Sequence, residues 1–180
     1  PDDDVVQVDH DNVGACRELV TVLFAKGIQN IAYLGSNMDQ MVNRCRYQGY
    51  EEAYRKGKRK LNADLVYTDL SNKAMVEKAV EELRKSGVEC ILCQDDYICD
   101  EVVRKLSRMG VRIPDQMKVA SCHYSRILEN YPITVTSLKF NITELGRRSC
   151  QVLLDMIHGK TVPDKTLLDY EIILKESTKG

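Results

Sequence analysis

The chain has 180 residues, and its 43% hydrophobic content is enough to bury one core or two small lobes. Its 26 Lys and Arg residues nearly balance its 27 Asp and Glu residues, and the net charge of -1 argues against a chain that binds nucleic acid by itself. The seven Cys residues are odd in number and irregularly spaced, which favours a reducing, cytoplasmic compartment, and no apolar run is long enough to predict a membrane span.

Short apolar strand patterns alternate with amphipathic helix patterns along most of the chain. The predicted strands are residues 5–8, 31–34, 65–68, 90–93, 119–121, 133–138 and 167–174. The predicted helices, each of which ends shortly before a glycine, are residues 12–26, 37–56, 73–86, 96–109 and 142–157. This alternation predicts an α/β fold in which a parallel sheet is flanked by helices.

The stretch from residue 90 to residue 124 is the most informative strand–helix–strand unit. Asp95 directly follows one strand, His123 follows the next, and a right-handed crossover makes these strands parallel. Ligands of open α/β sheets bind at the carboxyl ends of the strands, so Asp95 and His123 are candidate ligand-binding residues. The alternative for Asp95 is a structural one, because an Asp at this position, like Asp96 beside it, also suits the N-cap of the following helix.

A third candidate lies on the helix that follows the strand at residues 31–34. Arg44 and Arg46 are both placed to reach over the sheet edge, and the planar guanidinium fork suits paired hydroxyls or a carboxylate. The alternative is that each of them is an ordinary surface residue.

The sequence lacks the motifs of the common catalytic sites. It has no phosphate-binding glycine-rich loop, no nucleophile elbow and no His-Glu-x-x-His zinc motif, so it predicts a binding protein that is not an enzyme and has no cofactor. Cys90 and Cys93 have zinc-like spacing but lie within a strand pattern. One alternative therefore stays open, a metal or redox site in which Cys93, Cys122 and His123 meet at the sheet edge.

Several segments together resemble the LacI/GalR family of bacterial transcription regulators. The segments cover nearly the whole chain, and their order and spacing make the set specific. The segments are Val8-Asp9 with Asn12-x-Gly14-Ala15, Gly27-x-x-Asn30-Ile31-Ala32-Tyr33-Leu34-Gly35, Arg46-Tyr-Gln-Gly49-Tyr50, Gly110-Val-Arg-Ile-Pro-Asp115 before Val119-Ala-Ser, Val135-Thr-Ser-Leu138 with Leu145-Gly146, and Lys175-Glu-Ser-Thr178.

The resemblance implies a periplasmic-binding-protein-like (type I) effector domain of two lobes. Residues 4–138 and a last strand over 169–178 would form most of the C-terminal lobe, and residues 139–168 would return to the N-terminal lobe. The helix-turn-helix head that reads DNA in this family is expected outside the chain. A solute-binding protein of a transporter shares the fold and is the alternative.

The resemblance also assigns roles to the candidate residues. Arg46 matches the family's effector-binding Arg, whereas Asp95 stands where the family usually has Asn and His123 where it usually has Asp. These departures keep hydrogen-bonding capacity but change the charge, and the implied effector is a sugar or phosphosugar.

The family's dimer surface corresponds to two segments of this chain, the helix over residues 98–109 and the connection over residues 125–131. A homodimer is therefore expected, with a self-complementary apolar contact between the two copies. The predicted contact residues are Ile98, Val102, Ile127, Leu128 and Tyr131.

Overall fold

The computed structural model describes residues 5–179 of the chain. The helices are α1 (Asn12–Ala25), α2 (Met41–Lys56), α3 (Lys73–Leu83), α4 (Asp96–Arg108) and α5 (Ile142–Ile157). The strands are β1 (Gln7–His10), β2 (Ile31–Leu34), β3 (Val66–Tyr67), β4 (Cys90–Cys93), β5 (Lys118–Ser121), β6 (Thr136–Phe140), β7 (Lys165–Leu168) and β8 (Tyr170–Ile173). Short 3-10 turns cover Ala63–Leu65, Arg126–Asn130 and Glu176–Thr178.

A six-stranded sheet in the order β3-β2-β4-β5-β6-β8 forms the centre of the molecule. Its first five strands are parallel, and β8 closes the edge antiparallel to β6. Because successive side chains point to opposite faces, the sheet carries two cores, one under α1 and α2 and the other under α3 and α4. This arrangement confirms the predicted α/β fold with a mostly parallel sheet flanked by helices.

Short polar side chains start the helices at the sheet edge. The Oδ1 atom of Asp11 accepts from Gly14 N at 2.8 Å, and the Asn72 side chain, not the neighbouring Ser71, accepts from Met75 N at 3.1 Å. The second helix begins at Met41 and not at the predicted residue 37, because Asn43 donates to Ser36 O and holds the intervening residues in a turn.

The first and last predicted strands behave differently from the sequence expectation. Residues 165–173 form two strands in place of one: β7 pairs parallel with β1 in a separate two-stranded sheet, and β8 joins the main sheet. Residues 5–8, predicted as the start of the larger lobe, therefore lead into β1 beside β7. Residue 4, the predicted lobe boundary, lies outside the described residues.

Three short connections join the two-stranded sheet and α5 to the six-stranded sheet. A single residue separates the flanking elements in each: Asp11 between β1 and α1, Asn141 between β6 and α5, and Asp169 between β7 and β8. The backbone N–H of Asp11 also donates to Leu168 O at 3.1 Å, which holds two of the connections side by side.

One face of α5 is apolar and exposed. Val152 is the only residue of α5 that is buried. The exposed apolar side chains, which retain between 43% and 69% of their accessible surface, are Ile142, Leu153, Leu154, Met156 and Ile157. Within residues 5–179 no helix is long and apolar enough to cross a membrane.

Candidate functional site

The parallel strands β2, β4, β5 and β6 end at one rim, where Arg46 of α2 lies almost buried, with 8% of the residue exposed. Its Nη1 atom donates to Gln94 O at 2.9 Å, and its Nε atom donates to Asn12 Oδ1 at 3.4 Å. The guanidinium is thus held by two neutral acceptors just beyond the end of β4.

Phe140, the last residue of β6, is the aromatic centre of this rim. The centroid of its ring lies 6.0 Å from Arg46 Cζ, 4.9 Å from the His10 ring centroid and 6.3 Å from the His123 ring centroid, with the His123 ring stacked. The structure therefore brings Arg46 and His123, two of the three predicted ligand-binding residues, to one ring.

His123 pairs with Asp96, the first residue of α4. Its Nδ1 atom lies 3.3 Å from Asp96 Oδ1, and the Asp96 side chain is buried while about a third of the His123 side chain, 32%, is exposed. A His with a buried carboxylate partner at Nδ1 presents its Nε2 atom to a ligand in a fixed orientation. Asp96 therefore positions the imidazole.

The predicted candidate Asp95 has a different role at the same rim. Its Oδ1 atom accepts from Ile98 N at 2.8 Å, so Asp95 is the N-cap of α4, and no direct contact joins it to Arg46 or His123. It also lines a polar cavity of about 690 Å³ together with Ser36, Asn43 and Asp69 at the ends of β2 and β3. Asp95 thus faces the neighbouring cavity, and the ligand-binding role of all three residues stays a prediction.

Sequence reasoning missed five residues of the rim: His10, Asn12, Gln94, Asp96 and Phe140. Gln94 carried a usable signal, because it comes directly after the predicted strand 90–93, whereas Phe140 lies two residues beyond the predicted strand 133–138, which in the structure extends to Phe140. Gln94 is fully buried, and its Oε1 atom accepts from Ser36 N at 3.1 Å. His10 could not have been placed, because β1 reaches the rim through its pairing with β7.

The alternative metal or redox site is not assembled. The Sγ atom of Cys122 lies 3.6 Å from the Sγ atom of Cys16, and Cys93 and Cys122 are fully buried, whereas about a third of the His123 side chain is exposed. Burial, followed by the contact with the neighbouring thiol, raises the pKa of both Cys16 and Cys93. Over the described range, 5–179, no group of three or more His, Cys, Asp and Glu side chains could hold a metal ion.

The predicted dimer contacts divide into buried and accessible residues. Ile98, Val102 and Leu128 are buried in the core of their own chain, and the dimer-contact role of all five residues stays a prediction. Ile127 and Tyr131 are partly exposed, and the Tyr131 hydroxyl donates to the Asp100 carboxylate. Periodicity alone could not separate a core-facing apolar residue of α4 from a partner-facing one.

Comparison with known sequences gives a consistent result. The family described as "Periplasmic binding protein-like domain" matches residues 20–178. The HTH-type transcriptional regulator CelR of Thermobifida fusca is 28% identical over 98% of this chain and 53% of its own length. The HTH-type transcriptional regulator GntR of Escherichia coli K12 is 27% identical over 90% of this chain and 49% of its own length. The chain thus spans about half the length of these curated relatives.

Solved structures agree with this match. A transcriptional regulator CelR–cellobiose complex superposes with a TM-score of 0.86 at 26% identity, covering 98% of this chain and 55% of that one. The transcription regulator CcpA of Lactococcus lactis has the same fold, with a TM-score of 0.84 at 23% identity over 96% of this chain and 64% of its own. The chain therefore belongs to the family of periplasmic binding protein-like domains, in the form found in LacI/GalR-type regulators, as the sequence resemblance predicts.

Proposed function

We propose that the chain is the effector-sensing and dimerising part of a LacI-type transcriptional regulator whose effector is a sugar or phosphosugar. The matched relatives are named as transcriptional regulators, not as enzymes or transport proteins, and one neighbouring structure is a cellobiose complex. The observation that carries the proposal is the almost buried Arg46 at the rim, with Phe140 and His123 around it.

Each side chain of the rim makes a different kind of contact with the ligand. Arg46 is the anchor, because its guanidinium is fixed by Gln94 and, within residues 5–179, its Nη2 atom has no hydrogen-bond acceptor and can meet a ligand oxygen. The Phe140 ring offers a flat apolar surface for one face of a sugar, and His123, stacked on that ring, binds a hydroxyl beside it. Asp95 binds the part of the ligand that extends into the neighbouring polar cavity. Such a mixture of one apolar wall and a few directed polar groups is typical of small-molecule sites.

The sheets support the proposed lobe division, in which residues 4–138 and a last strand over 169–178 would form most of the C-terminal lobe and residues 139–168 would return to the N-terminal lobe. The pairing of β1 with β7 favours one change to this division, which moves β1 to the N-terminal lobe. The exposed apolar face of α5 supports this division, because an apolar face of that size is normally covered. In the complete protein the rest of the N-terminal lobe covers it.

In the complete protein, effector binding shifts the equilibrium between two arrangements of the lobes. This shift changes how the helix-turn-helix heads, which are expected outside this chain, bind DNA. The protein works in the cytoplasm as a homodimer. Ile127, Tyr131 and the neighbouring Tyr97, which is 71% exposed, are the accessible apolar residues around α4 for the contact between copies.

The test is a thermal-shift and calorimetry screen of sugars, phosphosugars and nucleosides on the protein as its gene encodes it. A binding effector should lose its affinity in Arg46→Ala and keep it in Arg55→Ala, a matched control that is exposed in the last turn of the same helix. The 180-residue chain alone should bind the effector more weakly, because one lobe is incomplete. Binding that is indifferent to Arg46→Ala would contradict the proposed site.

A further inference from the structure

We propose that a cationic surface at the end of the sheet opposite the rim docks an acidic segment of a partner protein. This surface, the basic pole, is formed where α1, α2 and α3 end, beside the amino ends of β2 and β4. Six exposed cations define it: Lys26, Lys56, Lys58, Lys60, Arg84 and Lys85. The inference goes beyond effector sensing and does not depend on it.

Direct contacts hold the three helix ends together at the basic pole. The Arg59 guanidinium lies over the Phe24 ring, with Cζ 4.3 Å from the ring centroid, and so joins the turn after α2 to the end of α1. Its Nη1 atom also donates to Gln29 Oε1, just before β2. Glu89, which follows α3, accepts from the backbone N–H groups of Gln29 and Asn30 at 2.7 and 2.8 Å. The three ends therefore form one continuous surface.

The positive charge of the basic pole is not balanced by ion pairs. Among residues 5–179, none of its six cations has a carboxylate oxygen within 4.0 Å of a side-chain nitrogen. The Glu89 carboxylate is occupied by two backbone N–H groups. Because the whole chain has a net charge of -1, this cluster leaves the rest of the molecule with an excess of negative charge. A nearly neutral average thus hides a separation of charge, and a surface of one sign attracts partners of the opposite sign.

Helix ends explain only part of this cluster. A cation in the last turn of a helix complements the helix dipole, which accounts for Lys56. Lys58 and Lys60 come after the helix, and Lys58 has a φ of 53°, in the left-handed region that is uncommon for residues other than Gly. A hydrogen bond of 3.1 Å from Lys58 N to Arg55 O holds this turn. An ordered turn presents its charges to a partner at a smaller entropic cost than a flexible one.

A groove between α1 and α2 beside the basic pole indicates which kind of anion fits. Its volume is about 540 Å³, and apolar side chains and cations line it together, among them Phe24, Ala25, Ala53, Lys56 and Arg59. The carboxylate of another lining residue, Glu18, accepts from the Tyr170 hydroxyl at 2.6 Å. A peptide segment with carboxylates beside an apolar side chain matches both kinds of lining, whereas the phosphates of a nucleic acid match only the cations. The groove therefore favours an acidic protein segment.

The experiment measures the binding of fluorescent peptides to the 180-residue chain by anisotropy. The first peptide is rich in Glu and has a central Leu, the second has Ser in place of the Leu, and the third has Gln in place of every Glu. At low salt the first peptide should bind about tenfold tighter than the third, and its affinity should fall as salt is added. The second peptide should bind more weakly than the first, because the groove loses its apolar contact.

Variants locate the peptide on the basic pole. Lys56→Glu should weaken the binding of the first peptide about tenfold, since a repulsion replaces an attraction. Lys165→Glu is the matched control, because Lys165 is also exposed but lies on β7 in the two-stranded sheet, and it should have little effect. Thermal unfolding checks that both variants fold. Lys56→Gln, which removes the charge without reversing it, should give a smaller loss in the same direction and replaces Lys56→Glu if that variant does not fold.

The outcomes decide this proposal separately from effector sensing. Failure of the first peptide to bind overturns it, and so does an equal loss of affinity in Lys56→Glu and Lys165→Glu. A short DNA duplex that binds more tightly than the peptide and is weakened by Lys56→Glu would assign the surface to nucleic acid, which also overturns the proposal. Lys56 is the last residue of α2, at the end of that helix far from the rim, so Lys56→Glu should leave effector binding unchanged.

Discussion

The Nη1 atom of Arg17 lies 2.9 Å from Glu52 Oε2 and joins α1 to α2. The hydrogen bond from Arg17, followed by one from Gln48, holds the pKa of Glu52 below its usual range, and Arg55 lies 3.7 Å from the other carboxylate oxygen. Only 17% of the Glu52 side chain is exposed, but Arg17 is more accessible, so solvent screens the pair.

Glu52→Gln should therefore lower stability by less than about 1 kcal/mol at neutral pH. Because the pKa of Glu52 is depressed by folding, its stabilising effect is present above the usual glutamate pKa of about 4.3 and is lost as pH falls through the folded value. Urea unfolding at neutral and acidic pH measures the difference, and a double-mutant cycle with Arg17→Gln isolates the pair. A difference between variants that is unchanged in acid would contradict this account.

Gly49 permits the close packing of α1 against α2. A Cβ atom at Gly49 would lie 2.4 Å from Val13 O and 2.8 Å from Cys16 Cβ, so Gly49→Ala must push the helices apart. We expect a net loss of about 2 kcal/mol in the free energy of unfolding, measured with urea. Gly146→Ala is the matched control, because nothing lies within 4 Å of its Cβ position on the exposed side of α5, and it should not destabilise the chain.

Ser177 fastens the end of the described chain to the sheet. Its hydroxyl donates to Val119 O at 2.6 Å and accepts from Thr136 N at 2.9 Å, and the residue is fully buried. Ser177→Ala leaves two buried backbone groups unpaired and should cost about 1–3 kcal/mol. Thermal unfolding checks the loss against Ser86→Ala, an exposed serine three residues after α3 whose hydroxyl donates only to the local carbonyl of Leu83. Equal effects for the two variants would contradict this role of Ser177.

The seven thiols should differ sharply in reactivity. Cys150 is exposed and Cys45 partly so, whereas the other five are buried, and burial raises the pKa of Cys16, Cys90 and Cys93. Iodoacetamide at neutral pH should therefore modify Cys150 first, because the thiolate is the reactive form. Mass spectrometry identifies the labelled residues, and denaturant should make all seven react. Rapid labelling of Cys16 in the folded protein would be incompatible with the structure.

The sequence predicts this fold well where local pattern and tertiary packing agree. The run Cys90–Cys93 matches β4 because four consecutive apolar residues have no place except inside a covered sheet. The prediction from sequence fails at Asp169, where one continuous strand pattern divides between two sheets. Nothing local marks that change of partner, which only the position of β1 beside β7 decides.

The candidate site was predictable only in part, for similar reasons. Arg46 and His123 follow strands whose ends meet at one rim, and parallel pairing is enough to bring them near each other. Asp95 and Asp96 are adjacent carboxylates, and the extended backbone of Asp95 turns its side chain to the helix cap while Asp96 receives His123. Which of the two carboxylates caps α4 and which contacts His123 depends on backbone torsion angles, and these cannot be read from a residue pattern.

The three one-residue connections at Asp11, Asn141 and Asp169 have a mechanical consequence. A single flexible connection would let the two-stranded sheet and α5 rotate in any direction. Three short connections side by side leave little freedom except bending about the line that joins them. The two-stranded sheet and α5 should therefore move against the six-stranded sheet by hinge bending about the line through these three connections. Twisting or sliding would require breaking β1 from β7 or β6 from β8.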